Sequence, residues 1–233
     1  MINILQTVCA LTTLLLSGCA HYVFIEPIKA TVVDDESGHP LEGVHVVYHA
    51  TAKEGTFTGH GGETANLLVA ESLTNVEGVI EFPGREINAE PFWMGTNYHL
   101  PRIYLFMSGY LPVTEGNEWW RLTRLEDVTR WQANGKTIRL KRPKDFNEYL
   151  ERVSQLGDSI ESIYRYPPAQ KCEWKRIPLI FLYLDHENSL ISQRARQMNR
   201  YVNLPTIKSL QQPYWESRCG SAVEFFGKYS GSR

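Results

Sequence analysis

"PIKATVVDDESGHPLEGVHVVYHA", residues 27–50, decides the fold. Ile28, Ala30 and Val32 alternate with Lys29, Thr31 and Val33, and Val44, Val46 and Tyr48 alternate with His45, Val47 and His49. A period of two sends successive side chains to opposite faces, so both runs read as half-buried β-strands. The intervening "DDESGHP" gathers acids, Ser, Gly and Pro, the composition of a turn.

The same design continues outward. "LLVAESLT" (67–74), the turn "NVEG" and "VIEFPG" (79–84) read as a second pairing, with Asn75 and Gly78 suited to a tight hairpin. "RIYLFMSGYLPV" (102–113) and "KTIRLKRP" (136–143) add later strands. Six or seven short strands separated by turn signals imply a β-sandwich.

Pro40-Leu41-Glu42-Gly43-Val44, and the run from Thr74 through Gly78 to Phe82, resemble the carboxypeptidase regulatory-like domain, a small transthyretin-like sandwich. Asn75 stands where that family usually has Asp. The resemblance covers roughly residues 27 to 115, and the strand near 136–141 completes the sandwich. It implies turns and core rather than chemistry, and the family name does not imply peptidase activity. The whole chain also looks like a group of proteobacterial lipoproteins built on this domain, a likeness that carries no activity with it.

After Pro143 the period changes. Phe146, Tyr149, Leu150, Val153, Leu156, Ile160, Ile163 and Tyr164 recur at three and four, which predicts an amphipathic helix. Asp145 suits its N-cap, with Glu148 as reciprocal partner. Gly157 should weaken the helix by about 1 kcal/mol relative to Ala. "YRYPPAQ" ends it, and a second helix is expected from Pro178, extending to Val202 after a break near Asn188-Ser189. The expected architecture is mainly β with appended α: a transthyretin/Ig-like sandwich over 27–142 and a helical subdomain over 143–233, its helical hairpin covering one sandwich face.

Before the sandwich stands "LTTLLLSGCAHY", residues 11–22. The apolar run from Ile4 to Leu16 is shorter than the ~20 residues a membrane span needs and suits an export signal. Leu16-Ser17-Gly18-Cys19 resembles the lipobox of bacterial lipoproteins, although no Lys or Arg precedes the apolar run. That resemblance implies cleavage after residue 18, lipidation of Cys19 and a tether over 19–26. Ala20 resembles the outer-membrane-bound class, facing periplasm or cell surface. Two or more acyl chains anchor stably where one does not.

Cys9 then leaves with the signal and Cys19 carries lipid. Cys172 and Cys219 remain, an even pair in an oxidising compartment, and a disulfide between them is worth roughly 3 to 4 kcal/mol. The alternative is two buried thiols.

The net charge of −2 gives no basic excess, so nucleic acid is not an expected partner. No cofactor or metal is expected. His45 and His49, four residues apart on a strand, lie about 13 Å apart, too far to share one ion. His60, in the long Gly-rich loop 51–64, and Trp119, Trp120 and Trp131, in "NEWWRLTRLEDVTRWQANG" (117–135), are the weak ligand-surface candidates. For the tryptophans the competing reading is packing beneath a long loop. His186-Glu187 lacks the second His of a zinc-protease motif and reads as a solvated helix face. No Gly-x-Ser-x-Gly elbow and no calcium-loop spacing occurs.

The expectation is therefore a lipid-anchored envelope protein, not an enzyme, whose sandwich serves a structural or binding role. Its partners are the membrane and an envelope protein or glycan. The alternatives are an envelope hydrolase built from loop histidines and carboxylates, and small-ligand binding between sandwich and helices.

Overall fold

A computed structural model describes residues 21–54, 64–89, 96–116, 131–165 and 172–229. Among the described residues nine strands come first: β1 (His21–Ile25), β2 (Ile28–Asp34), β3 (His45–Glu54), β4 (Thr64–Leu73), β5 (Val79–Phe82), β6 (Arg85–Ala89), β7 (Thr96–Phe106), β8 (Val113–Gly116) and β9 (Thr137–Leu140). Four α-helices of the described residues follow: α1 (Phe146–Arg165), α2 (Pro178–Gln197), α3 (Pro213–Cys219) and α4 (Ala222–Gly227). Short 3-10 turns lie at Glu173–Arg176 and Ile207–Leu210. The chain is mainly β with C-terminal helices.

The two strands of the opening stretch form as their alternation requires, but not as partners. β2 sits between β5 and β9, antiparallel to the first and parallel to the second. β3 sits between β4 and β7 in a four-stranded sheet closed by β8. The turn at 34–44 and the expected hairpin at 74–79 are therefore crossovers from one sheet to the other.

The reason is that the two turns bind each other. Thr74 Oγ1 donates to the Leu41 carbonyl at 2.6 Å and accepts from the Val44 amide at 2.9 Å. Gly43 and Thr74 exchange further backbone bonds with this pair of turns. Gly78, at φ +71°, brings its carbonyl to the Val32 amide at 2.7 Å, and a Cβ there would lie 2.4 Å from the Val32 oxygen. Glycine is required for that approach.

Ala30 and Val32, Val46 and Tyr48, Ile80, Ile103 and Leu105, Ile138 and Leu140 meet in one apolar core shared by the two sheets. The opposite faces of β3 and β7 present Val47, Tyr104 and Phe106 to a second core built from the helices. The four-stranded sheet is thus buried on both sides, with helices as a third layer. Residues 21–25, expected as tether, instead pair with β6 as a two-stranded ribbon.

α1 buries the predicted positions, apart from a half-buried Phe146. Asp145 Oδ1 accepts from the Glu148 amide at 2.9 Å, while Glu148 reaches back to the Lys144 amide, one residue short of a capping box. α2 begins at Pro178 as expected and runs unbroken to Gln197. Ser189 and Ser192 turn their hydroxyls back onto the carbonyls of His186 and Asn188, so this polar patch stays helical.

The α2 N-terminus lacks a cap from its own Ile177. Glu71 of β4 supplies one across the layer, its two oxygens accepting from Leu179 and Ile180 at 2.8 and 3.0 Å. Cys172 and Cys219 form a disulfide with Cα atoms 5.7 Å apart, fixing the tail to the segment entering α2.

Candidate functional site

α2 ends in a specific stop. Asn199 adopts φ +52°, the Arg200 amide donates to Ala195 O at 2.9 Å and the Asn199 amide to Arg196 O at 3.0 Å. These are the two bonds of a Schellman motif, with asparagine in the left-handed position that glycine usually takes. The chain reverses there and does not continue to Val202 as expected. Val202 and Leu204 turn into the core, while Arg200 and Tyr201 turn out, Tyr201 with 86% of its surface exposed.

The returning segment then crosses α1. Asn203 O lies so close to Gly157 that a Cβ would meet it at 2.0 Å. Asn203 Nδ2 donates to Asp158 at 2.6 Å, and Thr206 and Ser209 cap each other reciprocally. Gly157 is accordingly the site of contact for this segment, more than the helix weakness its propensity suggests.

The crossing leaves a cleft of about 450 Å³ between the C-terminal parts of α1 and α2 and the 200–209 segment, within the size range of small-molecule sites. A second cleft of about 470 Å³ opens on the other side of Arg200 and Tyr201, which line both. Arg165, Arg196 and Arg200 face the first cleft with one carboxylate, Glu161. Glu161 pairs with Arg165 at 2.6 Å. The guanidinium groups of Arg196 and Arg200 have no acidic partner among the described residues. The cleft is therefore rich in donors and cationic.

The histidines predicted to share a face do so, on the helix-facing side of β3. His45 lies under the Tyr183 ring, centroids 4.1 Å apart, and burial lowers its pKa to about 4. His49 Nε2 meets Asn66 Oδ1 at 2.7 Å, and Asn66 Nδ2 donates to Ile163 O. That chain assigns the proton of neutral His49 to Nε2. Burial lowers the His49 pKa, with the Asn66 bond opposing and the charge of Arg102 assisting.

The carboxylates are engaged too. Asp34 accepts from Ser37 N at 2.7 Å and from the Tyr110 hydroxyl at 2.7 Å. The Ser37 amide first, then Tyr110, hold its pKa at about 2 against burial. Burial pushes Glu71 up to about 7, opposed by the Leu179 and Ile180 amides. Glu187 is buried, not on a solvated face, and accepts from the Tyr149 hydroxyl at 2.8 Å.

Trp131 is only 2% exposed and packs in the core between the two sheets, so it offers no ligand surface. His60, Trp119, Trp120 and Cys19 lie outside the described residues. So do residues 55–63 of the long loop, whose flanks Thr51–Glu54 and Thr64 are strand. Among the described residues no group of three His, Cys, Asp or Glu is placed to hold a metal ion, and no helix is long and apolar enough to cross a membrane. The arginine cleft escaped the sequence reading. Its signal was "RARQMNRY", residues 194–201, a basic run ending on an aromatic after an asparagine stop.

No family model matches the chain. No curated protein matches it either. Among solved structures, catechol 1,2-dioxygenase from Pseudomonas arvilla C-1 is similar with a TM-score of 0.33 and 14% identity, over 57% of each chain. The Acinetobacter radioresistens catechol 1,2-dioxygenase gives 0.27 and 14%, over 57% of this chain and 55% of that one. The group B streptococcus pilus 2b backbone protein gives 0.25 and 14%, over 52% of this chain and 42% of its own. The chain thus spans about half the length of these structures, and likeness at this level carries no functional inference.

Proposed function

We propose that the protein is a lipid-anchored envelope protein, held at the outer membrane through Cys19, whose transthyretin-like sandwich and helical layer form a non-catalytic binding body. The observation that carries the reading is the Cys172–Cys219 disulfide, which belongs to an oxidising compartment. It agrees with the export signal and the lipobox-like Leu16-Ser17-Gly18-Cys19. The non-catalytic part is supported by the employment of His45, His49, Asp34 and Glu71 in ring packing, turns and a helix cap. Metabolic labelling with palmitate tests the anchor. Wild type takes up label and Cys19→Ala does not; label retained in the variant refutes it.

A further inference from the structure

We propose that the cleft between the ends of α1 and α2 and the 200–209 segment binds an acidic saccharide, a sugar ring carrying a carboxylate or phosphate. This deepens the binding reading above. Arg196 and Arg200 are exposed, point into the cleft and lack acidic partners among the described residues. A guanidinium offers a planar fork that matches carboxylate and phosphate oxygens.

Arginines in a last helical turn also complement the helix dipole. That accounts for Arg194, which stacks on the Phe146 ring at 4.0 Å, and for part of the placement of Arg196. It does not account for Arg200, which lies beyond the Schellman stop. Tyr201, the most exposed of the large apolar side chains among the described residues, stands beside it between the two clefts. An exposed aromatic ring next to unpaired guanidinium groups suits the apolar face of a sugar and its acidic substituent together. Ser192 and Asn203 add polar side chains to the wall. The placement is fixed rather than adaptable, because the Asn199 stop and the Gly157 crossing hold the segment at both ends.

The test is calorimetric titration of the full disulfide-intact chain in detergent. The probes are trigalacturonate, glucose 1-phosphate, neutral galactotriose and inorganic phosphate. At least one acidic sugar binds; the neutral sugar binds about tenfold or more weakly because the charge-assisted hydrogen bonds are lost, and inorganic phosphate about tenfold or more weakly because it has no ring to lie on Tyr201. Arg196→Ala with Arg200→Ala lowers acidic-sugar affinity about tenfold or more. The paired Lys variants retain part of it, and Tyr201→Ala weakens both acidic sugars. Circular dichroism checks that each variant is folded, which the exposure of all three residues favours. No binding of either acidic sugar, equal binding of galactotriose or inorganic phosphate, or unchanged affinity in the double Ala variant overturns the proposal. Palmitate labelling of Cys19 reads the anchor independently, so the two can fail separately.

Discussion

Gly157→Ala sets two forces against each other. Helix propensity alone favours Ala over Gly by about 1 kcal/mol in a helix interior. The structure places the added methyl 2.0 Å from Asn203 O and 3.1 Å from Leu204 Cδ2. Backbone oxygen cannot rotate away as a side chain can, so the crossing segment must shift by about 1 Å or more to reach ordinary contact. Overpacking costs about 1–3 kcal/mol, and a contact this short with backbone belongs in the upper part of that range, about 2–3 kcal/mol. Detachment of the segment instead exposes Val202 and Leu204, each worth about 1.5–3 kcal/mol when fully buried. The cheaper route sets the outcome, and after the propensity gain the variant should be destabilised by about 1–2 kcal/mol. With a urea dependence of about 2 kcal/mol per molar, the midpoint falls by about 0.5–1 M at unchanged slope. Urea unfolding followed by tryptophan fluorescence, with the disulfide intact, measures it. A midpoint equal to or above wild type would show that the 203 carbonyl does not press on α1, and the reasoning about this crossing would be wrong.

Removing the disulfide through Cys172→Ser and Cys219→Ser should lower stability by roughly 3 to 4 kcal/mol, given the 47-residue separation, and urea titration of both forms checks it. Glu71 binds a proton more tightly folded than unfolded, so between its ordinary pKa of 4.5 and about 7 its contribution to stability falls as pH rises. The stability difference between wild type and Glu71→Gln should therefore decline across that window and level off above it. A rise instead would mean that the two amide donors outweigh burial. His45 has the opposite sign: its depressed pKa of about 4 makes its contribution rise from pH 4 to about 6.5. NMR of the imidazole nitrogens should find the ring neutral at pH 5.5, and a protonated ring there contradicts its burial under Tyr183.

The local pattern carried much of this architecture and little of its wiring. Alternation at 28–33 and 44–49 states which faces are buried, and the α1 spacing does the same for a helix, because both follow from local geometry. Strand partners are different. The turn at 75–78 looks like a hairpin in isolation, and only the bonds from Thr74 to Leu41 and Val44 turn it into a crossover. Glu187 reads as solvent-facing until Tyr149, on the other helix, meets it. The parallel pairing of β2 with β9 joins segments about a hundred residues apart, for which sequence offers no local signal. The arginine cleft was illegible for the same reason, since α1, α2 and the 200–209 segment each supply part of its wall. The cysteine pairing was accessible because so few partners remained once the expected export signal was set aside.

The most direct test of the functional account is mass spectrometry of the N-terminal peptide of the native protein extracted from membranes. The account predicts a chain beginning at Cys19 and carrying a diacylglyceryl thioether. A peptide retaining residues before Cys19, or an unmodified Cys19 thiol, would contradict it.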